Sequence, residues 1–200
     1  MLITKFNQFI LEGVYDRTTG DVVDDIWKII KLTKSAYDMD PNENALVAYD
    51  VEYREKSPNL NFNLQIIIQR EVSEGAFNID ADIDDAGVQM RLLLNLNPEL
   101  EPLLYSKLNP KLHDAVRHEL EHTGQKPGLN WKSGKPLPTE DYIRHSIQTT
   151  PERIWEYFLL EDEVPAMVRG MYKQAKVERK PLDEIFNNYL AYFLEENIIN

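Results

Sequence analysis

The stretch from Met90 to His122, "MRLLLNLNPELEPLLYSKLNPKLHDAVRHELEH", decides the fold, because its hydrophobic period changes partway along. Val88, Met90, Leu92, Leu94 and Leu96 recur every second residue, the spacing of a half-buried strand. Leu112, Val116, Leu120 and Thr123 recur every three or four, the spacing of a helix packed along one stripe. Asn109 and Pro110 carry the cap and first-position signals of a helix start, so the spacing predicts a helix opening at Asn109.

Upstream, the period of two is repeated. Val47, Tyr49, Val51 and Tyr53 alternate with polar residues or alanine, as do Leu60, Phe62, Leu64, Ile66 and Ile68 with their polar partners. Phe77, Ile79, Ala81 and Ile83 alternate with Asn78, Asp80, Asp82 and Asp84. Four strands follow, with "SEGA" and "DDAG" as tight connections between the later ones. One wet face and one packed face imply a mixed or antiparallel sheet covered on one side by helices. Before the strands, "GDVVDDIWKIIKLTKSAY" places Val22, Val23, Ile26, Ile29, Ile30 and Thr33 at helical spacing, with acids leading and lysines trailing. Downstream, the Gly/Pro-rich "GQKPGLNWKSGKPLPTEDY" reads as a loop of the length used for substrate lids. Helices are expected in "TTPERIWEYFLL", in "EDEVPAMVRGMYKQAK" and in "PLDEIFNNYLAYFL", the last with Leu182, Ile185, Phe186, Tyr189 and Phe193 on one stripe. The order is α+β: residues 1–108 form an N-terminal helix and sheet, and residues 109–200 the motif helix and C-terminal helices of the same domain.

Composition narrows the function. A chain of 200 residues with 42% hydrophobic and 28% charged residues has the makeup of a soluble globular protein. Its net charge of −12 argues against binding a phosphate backbone, which is dominated by Lys and Arg. Lys173, Lys176, Arg179 and Lys180 are the best candidate for a local basic patch, read as the solvated end of a helix. With no cysteine, any metal must rest on His, Asp and Glu, which suits zinc. No apolar run reaches the ~20 residues of a membrane span, and the N-terminus makes a poor signal peptide, so a cytoplasmic protein is expected. "DIDADIDDAG" is not a calcium loop, because Asp85 and Arg91 stand where that motif needs glycine and glutamate.

The chemistry is concentrated in "AVRHELEHTGQ", residues 115–125. His118 and His122 stand ~40° apart on a helix, one turn above the other, so that two imidazoles can reach one ion. "HELEH" resembles the His-Glu-x-x-His motif of the zinc metallopeptidases known as zincins. The resemblance implies that His118 and His122 bind zinc and that Glu119 is the general base for an activated water. Glu121 departs from the stricter form of the motif, which has uncharged residues between the histidine-bearing positions; it is read as solvated. The metzincin extension is absent, since Gln125 and Gly128 stand where its glycine and third histidine would be. The gluzincin branch draws its third ligand from a later glutamate, here Glu163 in preference to Glu161, with Asp162 between them. Glu163 with Ala166 fits that branch's Glu-x-x-Ala pattern, Gly170 adds a second small position, and Pro165 puts the helix start near Glu161 or Asp162. Residues 110–180 are also similar to small zincin-like proteins encoded by tailed phages, which would put the protein in the host cytoplasm.

The resemblance further implies a sheet edge that takes up a substrate peptide by strand addition, with "VQMRLLLNLN" as the candidate strand. His145, Tyr142 and Arg144 are candidates for stabilising the oxyanion, with His145 foremost. Asp114 is either a partner orienting His118 or an exposed acid, and His113 is structural. The expected function is zinc-dependent hydrolysis of peptide bonds in a peptide or protein substrate. The alternatives are a zincin-fold protein whose metal serves structure or assembly, and a metal-free acidic protein that occupies a basic partner.

Overall fold

The computed structural model describes residues 2–39, 47–54, 61–70, 77–83, 89–96, 101–124, 160 and 163–195. It has a long helix α1 (Leu2–Met39), strands β1 (Val47–Arg54), β2 (Asn61–Arg70), β3 (Phe77–Ile83) and β4 (Gln89–Leu96), then helices α2 (Glu101–Gly124), α3 (Glu163–Glu178) and α4 (Leu182–Glu195). The class is α+β.

The four strands lie in the order β1-β2-β4-β3. β1 runs antiparallel to β2, β2 parallel to β4, and β4 antiparallel to β3, with Ile66 opposite Leu92 and Ala81 opposite Leu92 on its other side. β4, expected to be the edge that takes a substrate strand, is therefore interior, and the edges are β1 and β3. The physical reason is in the sequence. Leu92, Leu93 and Leu94 form a continuous apolar run suited to a strand flanked on both sides, whereas Asp80 and Asp82 put charge on β3, as protected edges do.

On β2 and β4 one sheet face is buried, with β3 partly buried against it. Phe62, Leu64, Ile66 and Ile68 of β2 and Met90, Leu92, Leu94 and Leu96 of β4 are buried with Val22, Val23, Ile26 and Ile29 of α1 and Leu108, Leu112, Val116 and Leu120 of α2. Removing each of these side chains from water stabilises the fold by about 1.5–3 kcal/mol before entropy is counted. The stripe from Leu112 to Thr123 is thus the inner face of α2, which leaves a different face for the histidines.

Two helices begin earlier than their local signals suggest. α1 starts at Leu2 rather than near Gly20, and Tyr15, Thr18 and Thr19 add buried turns. α2 starts at Glu101, so Pro110 lies inside the helix. Pro102 in the first turn is the true start signal, and Leu108 extends the buried stripe upstream past Pro110. Asn109 is not a cap: its Oδ1 accepts a hydrogen bond from Trp27 Nε1 at 2.8 Å, tying α2 to α1.

α3 and α4 share a smaller cluster of Met167, Met171, Ala175 and Ile185, with Tyr189 against it. The expected stripe on α4 is only partly buried, as Leu182 and Phe186 are exposed. The turn between the helices closes α3 with a Lys180 N–H bond to Ala175 C=O at 3.0 Å around Arg179, whose φ is 57°. Lys176, Arg179 and Lys180 are exposed, as expected of a solvated helix end, and the lysines also bond within the chain. Lys173, half-buried rather than solvated, donates to Asp16 C=O at 3.0 Å, Lys176 pairs with the Asp16 carboxylate, and Lys180 pairs with Glu178 and Glu184. No described helix is long and apolar enough to cross a membrane. The expected connections "SEGA" and "DDAG" and the loop beyond Gly124 lie outside the described residues, as does the helix expected over 149–160 except for Leu160, which is buried and not helical.

Candidate metal centre

His118 and His122 project from successive turns of α2, off its buried stripe and toward the first turn of α3. Their rings stand at 72° with centroids 4.8 Å apart, and their Nε2 atoms approach to 3.1 Å. Glu163, the first residue of α3, completes the group from a segment 41 positions beyond His122 in sequence. A single oxygen, Glu163 Oε2, lies 3.4 Å from His118 Nε2 and 3.3 Å from His122 Nε2.

These separations test whether a metal fits. Three donors bonded tetrahedrally at about 2.0–2.1 Å stand about 3.3 Å apart. The observed 3.1, 3.3 and 3.4 Å are edges of such a tetrahedron, and the residue types are ones zinc accepts. Electrostatics favour the same conclusion. Two imidazolium rings this close would repel, and two neutral rings can place only one N–H between their Nε2 atoms. The lone pairs and carboxylate oxygen that converge here could hold one cation. Among the described residues this is the group of His, Asp and Glu side chains able to share an ion.

Glu119 is buried beside the triad, its Oε1 3.9 Å from His118 Nε2. Burial pushes its carboxyl up to about 8; nearby His122 opposes the shift, while Glu163, Asp82 and Asp80 reinforce it. The last two belong to β3, so the free edge of the sheet lies within electrostatic reach of Glu119.

The other sequence candidates are placed differently. Asp114 is not an exposed acid. Its carboxyl is packed against α3, with Oδ1 in the space a Cβ on Gly170 would fill, and burial pushes it up to about 7. His113 faces α1, near Asp16, Asp24 and Lys173, and burial lowers it to about 4. Glu121 is not simply solvated, because it pairs at 2.8 Å with the guanidinium of Arg117. Tyr142, Arg144, His145, Glu161 and Asp162 lie outside the described residues.

Two residues near the centre escaped sequence reasoning. Arg117 is 2% exposed, stacks over the Tyr15 ring at 5.1 Å and reaches Asp16 at 3.6 Å, locking α2 to α1 one residue before His118. The only local hint was an Arg117–Glu121 pair at i,i+4 spacing. Tyr189 of α4 is raised to about 12, chiefly by burial and then by the charges of Asp114 and Glu163, so it lies within electrostatic range of both carboxyls. Its position in an apolar stripe gave no sign of that.

No protein-family model, curated protein or solved structure matches the chain.

Proposed function

We propose that the protein is a zinc-dependent peptidase of gluzincin type, in which His118, His122 and Glu163 hold the metal and Glu119 handles the proton. The observation that carries this reading is the triangle of donor atoms, 3.1–3.4 Å on a side, built from two helices. A zinc ion bound there supplies Lewis acidity for a water and for a scissile carbonyl, bringing the water's pKa to about 7. The residues do the rest. Glu119 lies close to the triad without being one of its three mutually adjacent donors; its carboxyl, raised to about 8 by burial, would be returned to the carboxylate by a cation held in the triad and so serve as the base. It accepts a proton as water attacks the peptide carbonyl carbon and returns it to the nitrogen of the leaving amine. Burial of Glu119 keeps competing water from solvating it.

Strand addition moves to β3 in this reading. β3 is an edge, packs against α2 and carries the acids whose charges reach Glu119. An extended peptide paired along its free side would run past the metal centre.

The test is zinc analysis and peptide hydrolysis on the full chain and two variants. Wild type is expected to hold one zinc per chain and to cleave a peptide library. Glu163→Ala should lose zinc, whereas Glu119→Gln should keep it and lose about 10²–10⁴-fold in turnover. Protein that holds no zinc after reloading sinks the metal reading. Zinc retained with unchanged turnover in Glu119→Gln sinks the role of Glu119. Stoichiometric zinc without any hydrolysis would assign the metal to structure or assembly.

A further inference from the structure

Glu163 and Gly170 are seven residues apart on α3, which brings them to within ~20° of the same helix face. Ala166, fully buried, lies between them on that side. At Gly170 the two helices meet backbone to backbone. A Cβ built there would fall 2.8 Å from the carbonyl oxygen of Asp114 on α2 and would overlap the Asp114 carboxyl as well. The carboxyl could swing aside. The carbonyl oxygen belongs to the helix backbone and cannot.

We infer that Gly170 is a positioning residue for the metal centre: its missing side chain sets the α2–α3 spacing that lets the Glu163 carboxylate reach the two imidazoles. This rests on reading the triad as a metal centre. To bring a methyl group at 170 to ordinary contact, α3 must withdraw by roughly half an ångström or more. Metal–ligand distances tolerate only about ±0.2 Å. His118 and His122 share α2 with Asp114, so they stay put, and the displacement falls on Glu163 alone. The fold has less at stake, because the α1–sheet–α2 core does not include α3.

Zinc affinity, measured by competition with a chelating dye, tests this in four proteins: wild type, Gly170→Ala, Glu163→Gln and the double variant. Gly170→Ala should bind zinc at least about tenfold more weakly than wild type. In the Glu163→Gln background the same change should cost less than about twofold, since the contact it acts through is already gone. Ala166→Val, which thickens the seam nearer Glu163, carries the same expectation and serves if Gly170→Ala does not fold. Unchanged affinity in these variants overturns the inference. So does an equal loss in both backgrounds, which would mean general loosening rather than a displaced ligand. If wild type binds no zinc, the metal centre itself fails; if it binds and only the Gly170 effect is missing, the failure is confined to Gly170.

Discussion

Asp114 and His113 are neighbours in sequence, both charged at a cost, and they bend the pH dependence of stability in opposite directions. Asp114 is raised from 3.8 to about 7 by burial, so the unfolded chain ionises first as pH rises. The penalty therefore grows between pH ~4 and ~7 and is fully present above that. Asp114→Asn should stabilise the ion-free protein at pH 8 by on the order of 1–3 kcal/mol, and the gain should vanish near pH 4. His113 is lowered from 6.5 to about 4, so the unfolded chain takes up the proton first as pH falls. Between pH 6.5 and 4 wild type should lose on the order of 1–2 kcal/mol that His113→Gln keeps, after discounting for partial exposure. Urea denaturation of the three proteins from pH 4 to 8 in chelator checks both; parallel curves would remove both assignments. At this scale the sequence was informative only where partners are local. His118, Glu119 and His122 are legible because helical spacing alone puts them side by side. Glu163 was reached through a motif resemblance rather than through spacing. The burial of Asp114 beneath Gly170, and of Arg117 between Tyr15 and Asp16, depends on helices distant in sequence that no local pattern encodes.

Among elements, the same substitution should have opposite effects in α1 and α3. Gly20 sits inside α1 with nothing within 4 Å of where a Cβ would stand. Gly20→Ala should therefore stabilise by about 0.5–1 kcal/mol through helix propensity, as a rise in melting temperature with zinc binding unchanged. Gly170→Ala gains the same propensity but meets the backbone of α2, so it should lower the melting temperature or the zinc affinity instead. A stabilised Gly170→Ala with full affinity would mean that α2 and α3 are farther apart than described. Element types were legible from period, because the alternation in β2 and β4 and the stripe in α2 reflect one buried face each. Their limits and neighbours were not. Asn109–Pro110 imitates a helix start, yet buried Leu108 and the Trp27 bond carry α2 through it. Strand order is set by pairing between distant segments, and only the charge on β3 against the leucine run of β4 hinted which strand is interior.

At the scale of the molecule, the described residues form two apolar clusters of unequal size, and the His118–His122–Glu163 group links α2 of the first to α3 of the second. α1, the sheet and α2 bury a large continuous core, whereas α3 and α4 share a smaller cluster of Met167, Met171, Ala175 and Ile185. α4 leaves Leu182 and Phe186 exposed, so that pair of helices has little apolar burial of its own. Its attachment to the rest runs through the Gly170–Asp114 seam, the Lys173 and Lys176 contacts to Asp16, and the Glu163–His118–His122 triangle. A cation in the triangle would bind the folded chain only, and at a free concentration 100 times its Kd would add about 2.7 kcal/mol to stability. That energy should be spread unevenly, because the triangle joins the weak pair to the strong core. Chelating zinc from the protein should speed amide hydrogen exchange throughout α3 and α4 by tenfold or more, on the order of 1.4 kcal/mol of lost local stability. β2 and β4, buried in the large core, should change far less. Exchange followed by mass spectrometry with and without chelator distinguishes this from a metal that merely decorates the surface. Equal acceleration in strands and C-terminal helices, or none in either, would show that the triangle does not hold the two clusters together.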